Sequence, residues 1–346
     1  MTIDANQKMD PPRIGIIGAR RRAQGIGQYL ARDLSATGGD VCAVVGTTHG
    51  TVDEARRTLE SEYALEVRGY VDAAKMIEDE SLDAVVICSP QQFHRDHLDA
   101  ALRARQHVLC EKPLVFDFDR DNVSDAGRLI DGFAAADLVL MANQQWPYTL
   151  DAFQRCYPQQ KRTDAVHRLE MMLAPARDGI VMIPDSIPHV ASMLLAVAPV
   201  DGRAEQFRCS SAGTGDLRIA FQYRHTDGCV DVDICLAQVA AQPRPAAYAI
   251  NGCTVCRRIQ SDSYQMYFEP TDHPPVRLTS QDAQITAVAT SYVPLEDPLR
   301  LLAADFIRRI QRPQISPHDD ECLLQNVRLV QQVYEAVQHS QCFRVS

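Results

Sequence analysis

His107-Val108-Leu109-Cys110-Glu111-Lys112-Pro113 reads as a buried strand that runs straight into an acid, an amine and a proline. A short, continuous apolar run is how a strand covered on both faces appears in sequence. Its end would place a carboxylate and an ammonium at the carboxyl edge of a parallel sheet, where open α/β sheets bind ligands. Upstream, Arg13-Ile14-Gly15-Ile16-Ile17-Gly18 is a second such run, and it closes on a glycine. Between the two, helical patterns over residues 24–37, 52–63 and 94–105 alternate with apolar runs at 41–45 and 83–88. The first of these helices carries Ile26, Tyr29, Leu30 and Leu34 at helical spacing and is stopped by Gly38-Gly39. This alternation predicts βαβ units and an N-terminal Rossmann-type, doubly wound parallel sheet.

Beyond about residue 142 the texture changes. Residues 217–223, 229–239, 246–250 and 264–268 alternate or run apolar with polar turns between them, which predicts a large, mostly antiparallel open sheet. Two helices close the chain, at 295–311 and 319–339, the second with Leu323, Leu324, Val327, Val330 and Val333 on one stripe. A length of 346 residues accommodates two cores. The expected division is a dinucleotide-binding domain in 1–142 and a substrate-binding and oligomerisation α/β domain with the C-terminal helices in 143–346.

A formal net charge of -10 argues against nucleic acid as a partner, because such partners are met by a basic face. No run of 18 uninterrupted apolar residues suggests a membrane span. Residues 1–12 are polar and read as a disordered leader without the apolar core of a signal peptide. The eleven cysteines are scattered through strand-like contexts such as Val41-Cys42-Ala43, the pattern of reduced, buried thiols in a cytoplasmic protein. Cys253 and Cys256 form one Cys-x-x-Cys with no second close pair, so no metal is expected.

Gly18-Ala19-Arg20-Arg21-Arg22-Ala23 stands where a Gly-x-Gly-x-x-Gly fingerprint belongs, with Gly25 and Gly27 just after. Gly18 can make the tight turn and Ala23 the close helix–strand packing, while Arg20 replaces the glycine of close pyrophosphate approach. The second strand ends in Val45-Gly46-Thr47-Thr48-His49, with no carboxylate before Asp53 to take a ribose 2′-hydroxyl. Thr47 and Thr48, with Arg20 and Arg21 nearby, suit a 2′-phosphate through charge-assisted hydrogen bonds. NADP is therefore the expected cofactor, with NAD possible. Farther on, Asp185-Ser186-Ile187-Pro188-His189 leads into an apolar helix. Asp185 is suited to an N-cap, and His189, four residues on, shares its face. A neutral His at such a helix start can serve as a base. The plainer alternative is a capping Asp over a packed His.

Together, Gly15-Ile16-Ile17-Gly18, Ser89-Pro90 with His94 after it, the strand ending Glu111-Lys112-Pro113, Asn143-Gln144-Gln145-Trp146 and Asp-x-x-x-His at 185–189 resemble the Gfo/Idh/MocA oxidoreductases. The resemblance implies a Rossmann domain, a second α/β domain whose sheet often forms the oligomer interface, and Lys112, Asp185 and His189 facing a nicotinamide. It extends the cofactor set to Gly18, Ala19, Arg20, Arg21, Thr47, Thr48, Ser89, Pro90, His94, Glu111 and Lys112. It also places Gln145 and Trp146 near substrate. Gly46 departs from the family's usual acid after the second strand, and Ser192 stands where a second Asp often follows the His. The implied activity is hydride transfer between NAD(P) and a hydroxyl-bearing carbon of a sugar, sugar derivative or cyclitol, in a cytoplasmic homodimer or homotetramer. Lyase or glycosidase chemistry through transient oxidation and a non-catalytic dinucleotide sensor are the alternatives.

Overall fold

The computed structural model describes residues 10–20, 26–211, 215–239, 241–260, 262–263, 265–272, 275, 283–312 and 316–340. The chain divides into two compact units. One comprises Met1–Val115, Asp125–Asn143 and Leu299–Pro317; the other comprises Phe116–Ser124, Gln144–Pro298 and His318–Ser346.

The first unit is built from β1 (Arg13–Ile17), α1 (Gly27–Ala36), β2 (Asp40–Val45), α2 (His49–Tyr63), β3 (Arg68–Tyr70), α3 (Ala73–Asp79), β4 (Ala84–Ile87), α4 (His94–Arg103) and β5 (His107–Cys110), then α5 (Asn122–Ala135) and β6 (Leu140–Ala142). Its six strands lie in the order β3-β2-β1-β4-β5-β6, and every pairing is parallel. Ile14, Ile16, Val44, Val85, Val86, Val108 and Leu109 are wholly buried, as a sheet covered on both faces requires. The strand order reverses between β1 and β4, so the carboxyl ends of those two strands frame the switch-point crevice where such sheets take ligands.

One close approach fixes how α1 leaves the sheet. A Cβ on Gly27 would lie 2.5 Å from the Gly18 carbonyl oxygen and 2.8 Å from the Ala19 Cα. Gly27 therefore provides the tight helix–strand packing expected of Ala23, which lies outside the described residues along with Arg21, Arg22 and Gly25.

The second unit continues with α6 (Leu150–Cys156), β7 (Arg168–Leu173), α7 (Met182–Val197), β8 (Arg203–Ser211), β9 (Leu217–His225), β10 (Gly228–Leu236), β11 (Ala246–Ile250), β12 (Cys253–Gln260), β13 (Met266–Thr271), β14 (Gln284–Ile285) and β15 (Val293–Leu295). The chain ends in α8 (Pro298–Gln311) and α9 (Pro317–His339). The nine strands follow the order β15-β13-β12-β11-β7-β10-β9-β8, with β14 beside β12. Only β7–β10 and β12–β14 pair in parallel. Alternate residues such as Leu169, Met171, Ile234, Tyr248, Val255 and Phe268 enter one core with Ile183, Ile187 and Leu194 of α7 and Val330 and Val333 of α9.

The opposite face of this sheet carries charge. Arg168 lies 3.2 Å from Glu170 and 2.9 Å from Asp233. Helix α8 groups with the first unit, where Ile307 stands against Gly39 at the end of α1. This departs from the expectation that both closing helices accompany the second sheet, because an apolar stripe does not state which core it enters. Residues 179–197 are long and apolar enough to cross a bilayer, yet the segment is mostly buried inside the protein, as a core helix is.

Gly27 gives a test of the close approach. An exposed Gly to Ala change inside a helix normally stabilises by about 1 kcal/mol. Here the added methyl meets backbone atoms, so Gly27→Ala is expected to destabilise by about 1–3 kcal/mol, the scale of overpacking. Urea unfolding of the two proteins measures the sign.

Candidate active site

In the first unit the predicted residues collect along the carboxyl edge of the parallel sheet. Gly18 holds a φ of +92°, and a Cβ there would lie 2.8 Å from the Cys88 carbonyl oxygen and 3.0 Å from the Ser89 nitrogen. Only glycine allows β1 and β4 to end this close together. The Gly18 N–H donates to the Val45 oxygen at 3.0 Å, so it serves the sheet and is not left for a phosphate. Ala19 is buried in the turn behind it.

At the end of β2, Gly46 explains its own departure from the acidic residue expected there. A Cβ on it would stand 2.7 Å from Thr51 Oγ1 and 3.0 Å from Val52 Cγ2, so α2 leaves no room for a carboxylate. Thr48 caps that helix: its hydroxyl accepts from the Thr51 N–H at 3.2 Å, and its own N–H donates to Thr51 Oγ1 at 2.9 Å. Thr47 precedes this cap. Arg20 lies 2.8 Å from the Glu54 carboxylate of α2, which holds a guanidinium beside the end of β2.

His94 is a buried strut. Its Nδ1 lies 2.8 Å from the Pro113 oxygen and its Nε2 2.8 Å from the Ser89 oxygen. It therefore ties the loop after β4 to the Glu111-Lys112-Pro113 segment, with both ring nitrogens engaged. Ser89 is engaged again through its hydroxyl, 3.0 Å from His97 Nδ1, a partner that sequence reasoning missed. Pro90 leads into the single turn Gln91–Phe93 before α4. The Glu111 N–H donates to the Ile87 oxygen at 2.7 Å, and the Asn143 side-chain amide donates to the Glu111 carboxylate. Asn143 is itself fixed by its N–H on the Cys110 oxygen at 2.7 Å, while its side-chain oxygen is buried with no hydrogen-bond partner among the described residues. Lys112, next to Glu111 in the chain, is half-buried.

A dinucleotide fits this edge on the structure's own terms. There is a turn that excludes a Cβ at a switch point, a buried polar atom lacking a hydrogen-bond partner among the described residues, and a Glu111 carboxylate held by Asn143. Gly18, Ala19 and Ser89 would line its phosphates, and Glu111, Lys112 and Asn143 would face its nicotinamide end.

In the second unit α7 begins at Met182, three residues before the cap predicted at Asp185. Pro184 falls in the first turn, where its missing N–H is not needed, so the helix starts ahead of it. Asp185 is consequently a first-turn residue, and its carboxylate accepts the Ala176 N–H at 3.1 Å. His189 lies in the second turn, where the dipole at a helix start has already weakened. From Met182 to Leu195 every residue is buried except Asp185 and His189, which share a face one turn apart. Ser192 does not join them, because it is buried and its hydroxyl donates to the His189 carbonyl at 2.8 Å.

His189 stands edge-on to Trp146, with ring centres 6.4 Å apart at 69°. Trp146 is buried and packs at 87° against Tyr248, and Thr149 bridges the Trp146 carbonyl at 2.7 Å to the Tyr248 hydroxyl at 3.1 Å. Gln145 is half-buried just ahead of that turn. Two residues that sequence reasoning missed complete the surroundings. The Arg257 guanidinium lies over the same indole at 5.7 Å, and Arg244, just before β11, has Asp185 acting on it electrostatically. Arg257 follows the core residue Val255 by two in β12, hence on the inward face, a register visible only once the strand pairings are known.

One unit thus carries a parallel, doubly wound sheet, and in the other α7 carries Asp185 and His189 on one face. Residues 12–144 match the Gfo/Idh/MocA family model, described as an oxidoreductase family with an NAD-binding Rossmann fold. The resemblance read from the motifs holds over those residues. The chain is 30% identical to myo-inositol 2-dehydrogenase of Thermotoga maritima over 128 residues, 37% of this chain and 34% of that protein. The match thus spans about a third of that relative's length. Over nearly the whole chain the fold is shared with two solved structures. UDP-N-acetylglucosamine 3-dehydrogenase from Acidithiobacillus ferrooxidans superposes with a TM-score of 0.65 at 18% identity, covering 95% of this chain and 98% of that one. Apo scyllo-inositol dehydrogenase from Lactobacillus casei gives 0.66 at 16%, covering 94% and 96%.

The imidazoles of the first unit generate a pH prediction. Burial pushes His94, His97 and His107 below the ordinary value of 6.5, and for His94 it outweighs the two carbonyls that favour the charged ring. Below pH about 6.5 the unfolded chain therefore binds protons that the folded chain resists. Stability should fall as pH drops from 7 towards 5, and His94→Asn should flatten that fall. Thermal unfolding across this pH range checks it; a slope unchanged in the variant would remove His94 as a cause.

Proposed function

We propose that the chain is a nicotinamide-dependent oxidoreductase that moves a hydride between its cofactor and a hydroxyl-bearing carbon of a sugar, sugar derivative or cyclitol. The observation that carries this reading is helix α7, buried throughout Met182 to Leu195 except for Asp185 and His189. A helix that buries everything else leaves an acid and an imidazole half-exposed on one face where they can meet substrate. The glycine turn at the switch point of a family-matched sheet supports the cofactor half of the reading.

The nicotinamide, when bound, supplies the hydride acceptor for oxidation or the donor for reduction. His189 accepts the hydroxyl proton in oxidation and returns it in reduction. Asp185, one turn earlier on the same face, orients the imidazole or holds a neighbouring hydroxyl. Lys112 donates a hydrogen bond to the reacting oxygen and stabilises the negative charge that grows on it. Gln145 and Trp146 contribute to the substrate wall. NADP is the favoured cofactor and NAD the lesser one, because the crowding at Gly46 excludes the acid that would select a 2′-hydroxyl and Arg20 stands nearby. A 2′-phosphate would draw Arg20 from Glu54 into a charge-assisted contact. A cytoplasmic homodimer or homotetramer completes the proposal; pairing through the charged sheet face would match Arg168 and its acids with those of a second copy.

Direct titration should show NADPH binding more tightly than NADH, with Arg20→Ala narrowing the ratio; equal or tighter NADH binding refutes the 2′-phosphate argument. Lys112→Met and His189→Ala should each lower turnover by about two to four orders of magnitude, the scale of positioned acid–base groups. Cofactor affinity should change far less. Melting temperature and turnover are to be measured on the same proteins, because folded variants with near-normal turnover would reduce Lys112 and His189 to structural residues.

A further inference from the structure

Arg257 breaks the pattern of the strand that carries it. The inward register of β12 runs Cys253, Val255, Arg257, and Val255 is wholly buried in the core of the second unit. Where the alternation calls for another apolar side chain, the strand supplies a guanidinium. It lies over the Trp146 ring at 5.7 Å and donates through one terminal nitrogen to the Arg244 carbonyl at 2.6 Å. Arg257 and Arg244 are each half-buried as whole residues. The Nε of Arg257 is nevertheless shut off from solvent with no hydrogen-bond partner among the described residues, and the Nε of Arg244 is in the same condition. Among the described residues no carboxylate is in ion-pair contact with either guanidinium; Asp185 acts on Arg244 only at longer range. Burial pushes Arg257 down to about 10, which leaves it charged at neutral pH.

Such an arrangement has a cost that the fold does not offset. A charge withdrawn from water without a counter-ion is destabilising even after relaxation. The stacking on Trp146 offsets only part of that loss. A methionine or leucine at 257 would pack the same space without the penalty. Two cations with buried, unsatisfied donors, beside the indole that also flanks His189, are better matched to an anion that arrives from outside.

We propose that Arg257 and Arg244 form a subsite for an anionic group on the substrate, so that this chain acts on acidic polyols, bearing a carboxylate or a phosphoryl group, in preference to neutral sugars or cyclitols. The inference rests on the reading of His189 as the residue that meets substrate. The planar guanidinium fork suits either anion through paired N–H donors. Because Trp146 borders both His189 and Arg257, the charge and the reacting carbon belong to one small molecule. A local pair of cations is also what a protein of net charge -10 needs to hold an anion against its own long-range field.

Calorimetric titration of the protein with D-glucuronate, D-gluconate and D-glucose 6-phosphate, against D-glucose and myo-inositol, tests the subsite without requiring turnover. At least one acid should bind ten-fold or more tightly than the neutral compounds, and the glucuronate, gluconate and phosphate arms separate carboxylate from phosphoryl recognition. Arg257→Met should bring that acid down to the level of the neutral sugar while the melting temperature stays level or rises, because an apolar side chain relieves the buried charge. Arg244→Gln provides a second variant if the first fails to fold. Equal binding of acids and neutral compounds, no binding of any probe, or an acid preference that survives both substitutions would overturn the proposal. Reduction of NADP and NAD on the same panel keeps the two readings apart. Acid binding without hydride transfer leaves the subsite and removes the oxidoreductase; turnover of neutral polyols without acid preference does the reverse.

Discussion

The first unit depends on one steric constraint, the contact between the end of β1 and the start of α1. The Gly18 carbonyl and the Gly27 Cα come so near that neither residue has room for a methyl, and Gly18 is hemmed in by the end of β4 as well. This closeness lets a strand, its neighbour across the switch point and a helix start converge without side chains between them. A phosphate-bearing ligand needs that kind of surface, because it is recognised by backbone at short range. The same logic reaches Gly46, where the approach of α2 excludes a side chain and so removes the acid that a ribose hydroxyl would want. The proposed preference for NADP thus has its origin in helix packing, ahead of any specific contact.

Order at the sheet edge is passed on by polar groups that are themselves buried. His94 spans two carbonyls from separate loops, and Asn143 holds the Glu111 carboxylate while hydrogen-bonded to the strand end. Each is close to fully buried, so its hydrogen bonds are made in a low-dielectric setting where losing one is expensive. Lys112 gains its position from this scaffold on both sides of it.

How much of this was legible in the sequence follows from burial. Strands β1, β2, β4 and β5 announce themselves because both faces are covered and nearly every residue is apolar. Strand β3, Arg-Gly-Tyr with no buried residue, carries no such mark. Strand β7, at the centre of the second sheet, is hidden because Met171, Met172 and Leu173 run together, so the period of two is lost. The start of α7 is obscured because Pro184 and Pro188 look like breakers, although the first falls where a helix needs no N–H. Asp185 and His189 still stand out, since four-residue spacing survives an error in the helix start. Arg257 was out of reach, because Arg257-Arg258 looks like any charged pair until the register shows that one faces the core and the other meets Glu269 on the far face.

That last contrast separates structure from function within one dipeptide. Arg258 has its carboxylate, is satisfied by it, and is explained by the sheet. Arg257 sits on the costly side, with an indole and a carbonyl but no counter-charge among the described residues. Natural sequences break their own burial pattern where function demands it, and they do so at a loss of stability. The second core obeys its pattern along Leu169, Met171, Tyr248, Val255 and Phe268, and departs from it around Trp146, where a cation, an acid and an imidazole gather. A departure of this kind in an otherwise consistent core supports the proposed anionic subsite better than any single residue type could, because the negative charge that the described residues do not supply is what the proposed substrate would bring.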